Sequence, residues 1–141
     1  MSVKVFKDGI TVENLKTLLD MTPFAAFLRP EIIKCEDGYA ELHVAMRREL
    51  TQHHGYAHGA VIGCIADSAC AWAAGSVAGD VVTAEYKINL LAPAVGDKLI
   101  GRGYVLKSGR SMVVARSEVF AAKGERERLV AAALATIAVL Q

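Results

Sequence analysis

Charge of either sign is missing from this chain as a distinguishing feature: 16 Lys and Arg stand against 15 Asp and Glu, a formal net charge of +1 over 141 residues. With neither a basic stripe nor an acidic tail, nucleic acid is a poor candidate partner. Cysteine is scarce as well. Cys35, Cys64 and Cys70 are odd in number and lack metal-ligand spacing, so they read as small buried hydrophobes in a reducing cytoplasm. No set of His, Cys and carboxylate has zinc spacing and no G-x-S-x-G elbow occurs, so neither a metal nor another cofactor nor a serine nucleophile is expected. The opening MSVKVFKDGITVENL has no apolar h-region and no small-residue cleavage site, so no export signal is expected either. Repeats and low-complexity stretches are absent.

Apolar residues are abundant instead, at 53% with a mean hydropathy of +0.32. That is high for a soluble monomer of this size and predicts either a membrane or burial against further copies of the chain. One stretch, His58 to Ala78, is long enough to span a bilayer. It carries Asp67 near its centre and is diluted with Ala, Gly and Ser, and a mid-bilayer Asp costs about 2.5–3.5 kcal/mol. The oligomer is therefore the expectation, and a membrane role is not.

A chain of this length builds one domain, taken here as 1–141. Residues 1–30 form an N-terminal helical segment: Thr11 caps VENLKTLLDM, and Thr22-Pro23 starts a second turn that Pro30 ends. From Glu31 the period changes to two. Asp37-Gly38 signals a hairpin, and Ala40, Leu42, Val44 and Met46 alternate with polar partners. After the polar connection RRELTQHHGY comes a helix over 58–78, ended by Gly79-Asp80. Four strand-like stretches follow, at 81–92, 97–107, 111–122 and 128–140, and their short breaks predict an antiparallel meander. A helix apolar nearly all round must be enclosed. The expected fold class is α+β: an antiparallel sheet of about five or six strands wrapped around one long helix, the hotdog arrangement, with edge strands open to a second subunit.

Asp67 is the one carboxylate in the apolar run HGAVIGCIADSACAWAAGSVAGD before its terminal Asp80. A buried, unpaired carboxylate loses its hydration, so it is expected either to be paired, with hydroxyls such as Ser68 or Thr83, or to be used. If used, it attacks a carbonyl or deprotonates a water. Gly59 stands where the helix begins, its N–H unsatisfied by the helix and aimed outward with the positive end of the dipole, suited to a developing oxyanion. A tight entry into the helix would also explain a glycine there. The two lie eight residues apart, about 12 Å along a helix axis, too far to act on one carbonyl. If both are catalytic, Gly59 of one subunit must face Asp67 of another.

The run Gln52-His53-His54-Gly55-Tyr56-Ala57-His58-Gly59-Ala60, with Asp67 nine residues after His58, resembles hotdog-fold acyl-CoA thioesterases of the phenylacetate-pathway (PaaI-like) type. Their pattern is Asn or Gln, then G-x-x-H-G-G, then that Asp. The stretches TAEYKINLLAPAVGDKL (83–99) and KSGRS (107–111) resemble the same family, and the likeness covers roughly 30–140. One departure is Ala60 in place of the second Gly, which adds a methyl that would narrow the pocket. The resemblance implies hydrolysis of an acyl-CoA to free acid and CoA at sites shared across a homodimer, paired into a tetramer. It places Gln52 to orient thioester or water, Thr83 to position the water, and His58 to shape the turn behind the oxyanion site. His53 and His54 are expected to be loop residues. Arg102, Lys107 and Arg110 are candidates for the CoA phosphates, with Tyr56, Trp72 and Leu91 along the acyl chain. The rivals are a non-catalytic hotdog acyl-CoA binder or sensor, a carrier-protein thioesterase, and a hotdog hydratase or dehydratase, whose D-x-x-x-x-H pattern does not occur here.

Overall fold

Thr11 opens the first helix through a capping box. In the computed structural model, which describes residues 6–141, its hydroxyl accepts from the Asn14 N–H and the Asn14 carboxamide accepts from the Thr11 N–H. Helix α1 (Val12–Asp20) points Leu15 into the protein, and α2 (Pro23–Leu28) begins with proline at its first turn. The expectation of no export signal falls partly on residues 1–5, outside the described residues.

Strands β1 (Glu31–Glu36) and β2 (Tyr39–Ala45) form the expected hairpin. Asp37 and Gly38 both take positive φ, 50° and 79°, as a two-residue turn of this twist requires. Helix α3 (Gly59–Ala78) follows, capped by His58 and ended at Gly79. It is the one helix among the described residues long and apolar enough to cross a membrane, and here it packs against all six strands. The remaining strands are β3 (Val81–Leu90), β4 (Lys98–Ser108), β5 (Met112–Lys123) and β6 (Arg126–Val139). The sheet is antiparallel throughout, in the order β1-β2-β4-β5-β6-β3. This is the expected α+β hotdog.

One expectation is corrected. Only β4–β5–β6 form a meander; β3 lies at the far edge and pairs with β6, not β4. The 91–97 connection crosses the ends of β6 and β5, where Leu91 donates to the Val130 carbonyl and Asp97 to that of Ala122. Three strand spacings are roughly 14 Å, and seven extended residues reach roughly 23 Å, so a short break is compatible with a crossing as well as with a hairpin.

Ile62, Ile65, Ala66 and Ala69 of α3 are buried against Leu42, Leu99, Val119 and Val130 of the sheet. Glycine permits the close approach at one point in particular: a Cβ on Gly103 would lie 2.0 Å from the Ala69 carbonyl oxygen. Ser117 bonds the Ala66 carbonyl at 2.9 Å, so its burial leaves no orphan hydroxyl. Cys35 and Cys70 are buried, Cys64 partly so, and all three are free.

Candidate active site

The entrance to α3 is built by His58. Its Nδ1 accepts from the Ala60 N–H at 3.0 Å, so the ring proton sits on Nε2. This cap satisfies Ala60 and leaves the Gly59 N–H with no acceptor among the described residues. Gly59 lines a recess of about 380 Å³ with Gln52, Tyr56, Leu90, Leu91 and Pro93. The Gln52 carboxamide oxygen accepts from the His54 N–H, which holds the side chain within its own turn. His53 and His54 are exposed loop residues with ring centroids 4.0 Å apart.

Asp67 opens into a different recess. It is half-buried and paired: Thr83 Oγ1 donates to its Oδ1 at 2.7 Å, leaving Oδ2 without a partner among the described residues. That recess, about 340 Å³, contains Ser68, Trp72 and Thr83, and its outer wall is α1. A bulge between Thr83 and Glu85 sets this geometry. Without it, strand alternation would put Thr83 and Tyr86 on opposite faces; with it, both face α3, Thr83 on Asp67 and the Tyr86 hydroxyl close to Gly63. Leu90 Cδ1 continues the row beside Gly59. Edge strand β3 thus runs along one stripe of α3, from Asp67 back to Gly59.

Asp67, Thr83 and Trp72 therefore share one recess, and Gly59, Gln52, Tyr56 and Leu91 the other. Four expected residues lie elsewhere. Ala60 is turned by the helical step away from the Gly59 recess and lines a groove with Phe24, Phe27 and His58 instead, so its methyl does not narrow that recess. Arg102 does not join Lys107 and Arg110. It projects from the sheet's outer face, bonds Glu127 through both terminal nitrogens at 2.8 and 3.0 Å, and pairs with Glu41 at 3.4 Å. The Glu127 pairing, with Glu41 behind it, raises the guanidinium's pKa, and both carboxylates already engage it. Lys107 and Arg110 are exposed at the β4–β5 turn and line neither recess. Three cations the sequence reading did not single out, Lys123, Arg126 and Arg128, line a separate hollow with Val95 and Glu127. Lys123 and Arg126 are register partners across the β5–β6 hairpin, a signal available once those strands are paired. No group of three His, Cys, Asp or Glu among the described residues could hold a metal.

Residues 54–127 match the thioesterase superfamily. A protein of Saccharolobus solfataricus with a provisional esterase name is 34% identical over 101 residues, spanning 70% of this chain and 72% of its own. Among solved structures, a thioesterase family protein from Silicibacter pomeroyi superposes with a TM-score of 0.85 at 34% identity, over 89% of this chain and 95% of that one. The PaaI protein of the E. coli phenylacetic acid degradation operon gives 0.82 at 22% identity, over 92% of each chain, a likeness of fold. The chain belongs to the thioesterase superfamily and is a hydrolase with a PaaI-like hotdog fold.

Proposed function

We propose that this protein is an acyl-CoA thioesterase whose active site is completed across a homodimer. The observation that carries the proposal is the pairing of two unsatisfied groups on one helix: a free N–H at Gly59 and a carboxylate oxygen at Asp67. The Gly59 N–H, at the positive end of α3, receives the thioester oxygen as it gains charge. Asp67, oriented by Thr83, attacks the carbonyl or takes a proton from the water that does. Eight helical residues keep the two about 12 Å apart within one chain, so each reaction uses Gly59 from one protomer and Asp67 from the other.

Strand β3 supports that assembly. Its outer edge carries no ladder among the described residues, and Val82, Tyr86, Leu90 and Leu91 are exposed along it. A second copy pairing there would bury this apolar surface and bring the two α3 helices together. Dimers then pair into a dimer of dimers. CoA phosphates meet cations at the mouth, with Lys123, Arg126 and Arg128 joining Lys107 and Arg110 as candidates. Three free thiols suit a cytoplasmic protein.

Release of CoA, followed with a thiol-reactive dye over short, medium, long and aryl acyl-CoAs, tests this for wild type beside Asp67→Asn. Turnover that collapses in the variant supports the enzyme. A folded dimer that binds acyl-CoA without turnover would make it a binding protein instead.

A further inference from the structure

We infer that helices α1 and α2 form the acyl-selecting wall of the Asp67 half-site, and that this wall admits a compact, uncharged apolar acyl group. The inference rests on the thioesterase reading and adds which part of the chain chooses the substrate. The wall lies in the N-terminal segment, ahead of the residues 54–127 that match the superfamily.

The segment is fixed at both ends. Before α1, Ile10 donates to the Gly75 carbonyl at 2.9 Å, and its Cδ1 occupies the space where a Gly75 Cβ would come within 2.8 Å. After α2, the Arg47 guanidinium binds the last carbonyls, Phe27 and Leu28, and lies over the Phe27 ring at 5.0 Å. Between these anchors α1 packs against β1 and α2 and faces α3 across the recess that holds Asp67. Leu15, 1% exposed, makes the inner floor, while Leu18 and Leu19 are half-buried and face the recess shared with Asp67 and Trp72.

The chemistry of the lining selects the ligand. Asp67 is the one charged side chain in it, and the Thr22 hydroxyl is already bonded to the Leu18 carbonyl at 2.8 Å. A tail bearing a carboxylate would meet Asp67 and no cation, and its burial would go uncompensated. A volume of about 340 Å³ lies near the lower end of ligand cavities, about 300–1,000 Å³. A thioester held with its carbonyl at Asp67 would put an aryl or medium-length acyl group against Leu18, Leu19 and Trp72.

Trp72 is the chain's single tryptophan and reports occupancy directly. On dimeric Asp67→Asn protein, octanoyl-CoA and benzoyl-CoA should shift Trp72 emission, while CoA alone and succinyl-CoA should not. In active protein, Leu19→Trp should lower the octanoyl-to-acetyl ratio of kcat/KM by about tenfold and Leu19→Ala should raise the palmitoyl-to-octanoyl ratio, the scale of methylene discrimination in an apolar pocket. Turnover with unmoved ratios and a silent Trp72 would overturn the wall while leaving the thioesterase standing. A Trp72 response to octanoyl-CoA without turnover in wild type would uphold the subsite and remove the enzyme. Silence in both would overturn both.

Discussion

Thr83 Oγ1 donates to Asp67 Oδ1 at 2.7 Å, joining the edge strand to the middle of the central helix. The bond holds the carboxylate through one oxygen and leaves the second without a partner among the described residues. Asp67→Asn keeps shape and the Thr83 contact but removes the carboxylate that we propose as base or nucleophile. We expect kcat to fall by about 10²–10⁴ with the circular dichroism spectrum unchanged. Thr83→Val keeps the β-branched packing and loses the bond; about tenfold in kcat is expected, the scale of one hydrogen bond to a charged group. A Thr83→Val loss as large as that of Asp67→Asn would give Thr83 a chemical role of its own.

The outer face holds a second network, Tyr39–Glu41–Arg102–Glu127. Hydrogen bonding from Arg102 holds the Glu127 carboxyl below the usual glutamate value of 4.5. Burial would raise Glu41, but bonds from Tyr39, His43 and Arg102 outweigh it and hold that carboxyl low as well. Groups with folded pKa below unfolded pKa stabilise fully above the unfolded value and lose that contribution as pH falls through the folded one. The urea midpoint should therefore drop as pH falls below about 4.5, and Arg102→Met should flatten that drop. An equally steep acid transition in the variant would assign it to other carboxyls.

Burial pushes the Cys35 and Cys70 thiols up to about 11, and burial raises Cys64 too, with some relief from Ser68. Thiolate is the reactive form. At neutral pH the native protein should react with a thiol dye far more slowly than CoA does, and denaturant should release all three thiols. Rapid labelling of a native cysteine would show that its surroundings open readily.

What the sequence carried well is periodic or local. The apolar run around Asp67 marks α3, Asp37-Gly38 marks the first hairpin, and the His58, Gly59 and Asp67 spacing separates the two recesses because helix rise is fixed. What it did not carry depends on partners distant in the chain. Break lengths do not reveal that β3 crosses to β6, nor does β3's composition reveal the bulge that aims Thr83. Arg102 has the composition of a ligand cation until Glu127, 25 residues on, is placed beside it. Asp67 looked fully enclosed because α3 is apolar all round; only the sheet's position shows that its stripe faces α1. Packing had the deciding part in each case.

Gly103 sits directly beneath α3, where an added Cβ would overlap the Ala69 carbonyl. Backbone cannot yield as a side-chain tip does, so Gly103→Ala should cost about 3 kcal/mol or prevent folding. Gly124→Ala at the β5–β6 turn meets nothing within 4 Å, and its φ of 59° makes it a strained but unclashed comparison. Chemical denaturation of the two variants separates overlap from backbone strain; equal losses would contradict the packing argument.

The shared site is tested most directly by a hybrid dimer. Gly59→Pro removes one N–H and little else: proline suits the first helical position, and His58, at φ −64° and ψ 138°, already has the conformation that precedes it. A Cβ there meets only the Leu90 Cδ1 tip, at 3.3 Å. Gly59→Pro and Asp67→Asn homodimers should each be nearly inactive. A dimer holding one subunit of each contains one intact composite site and should recover about half the wild-type activity, as two-fold symmetry requires. A hybrid as inactive as its parents would contradict a site built from Gly59 of one protomer and Asp67 of the other.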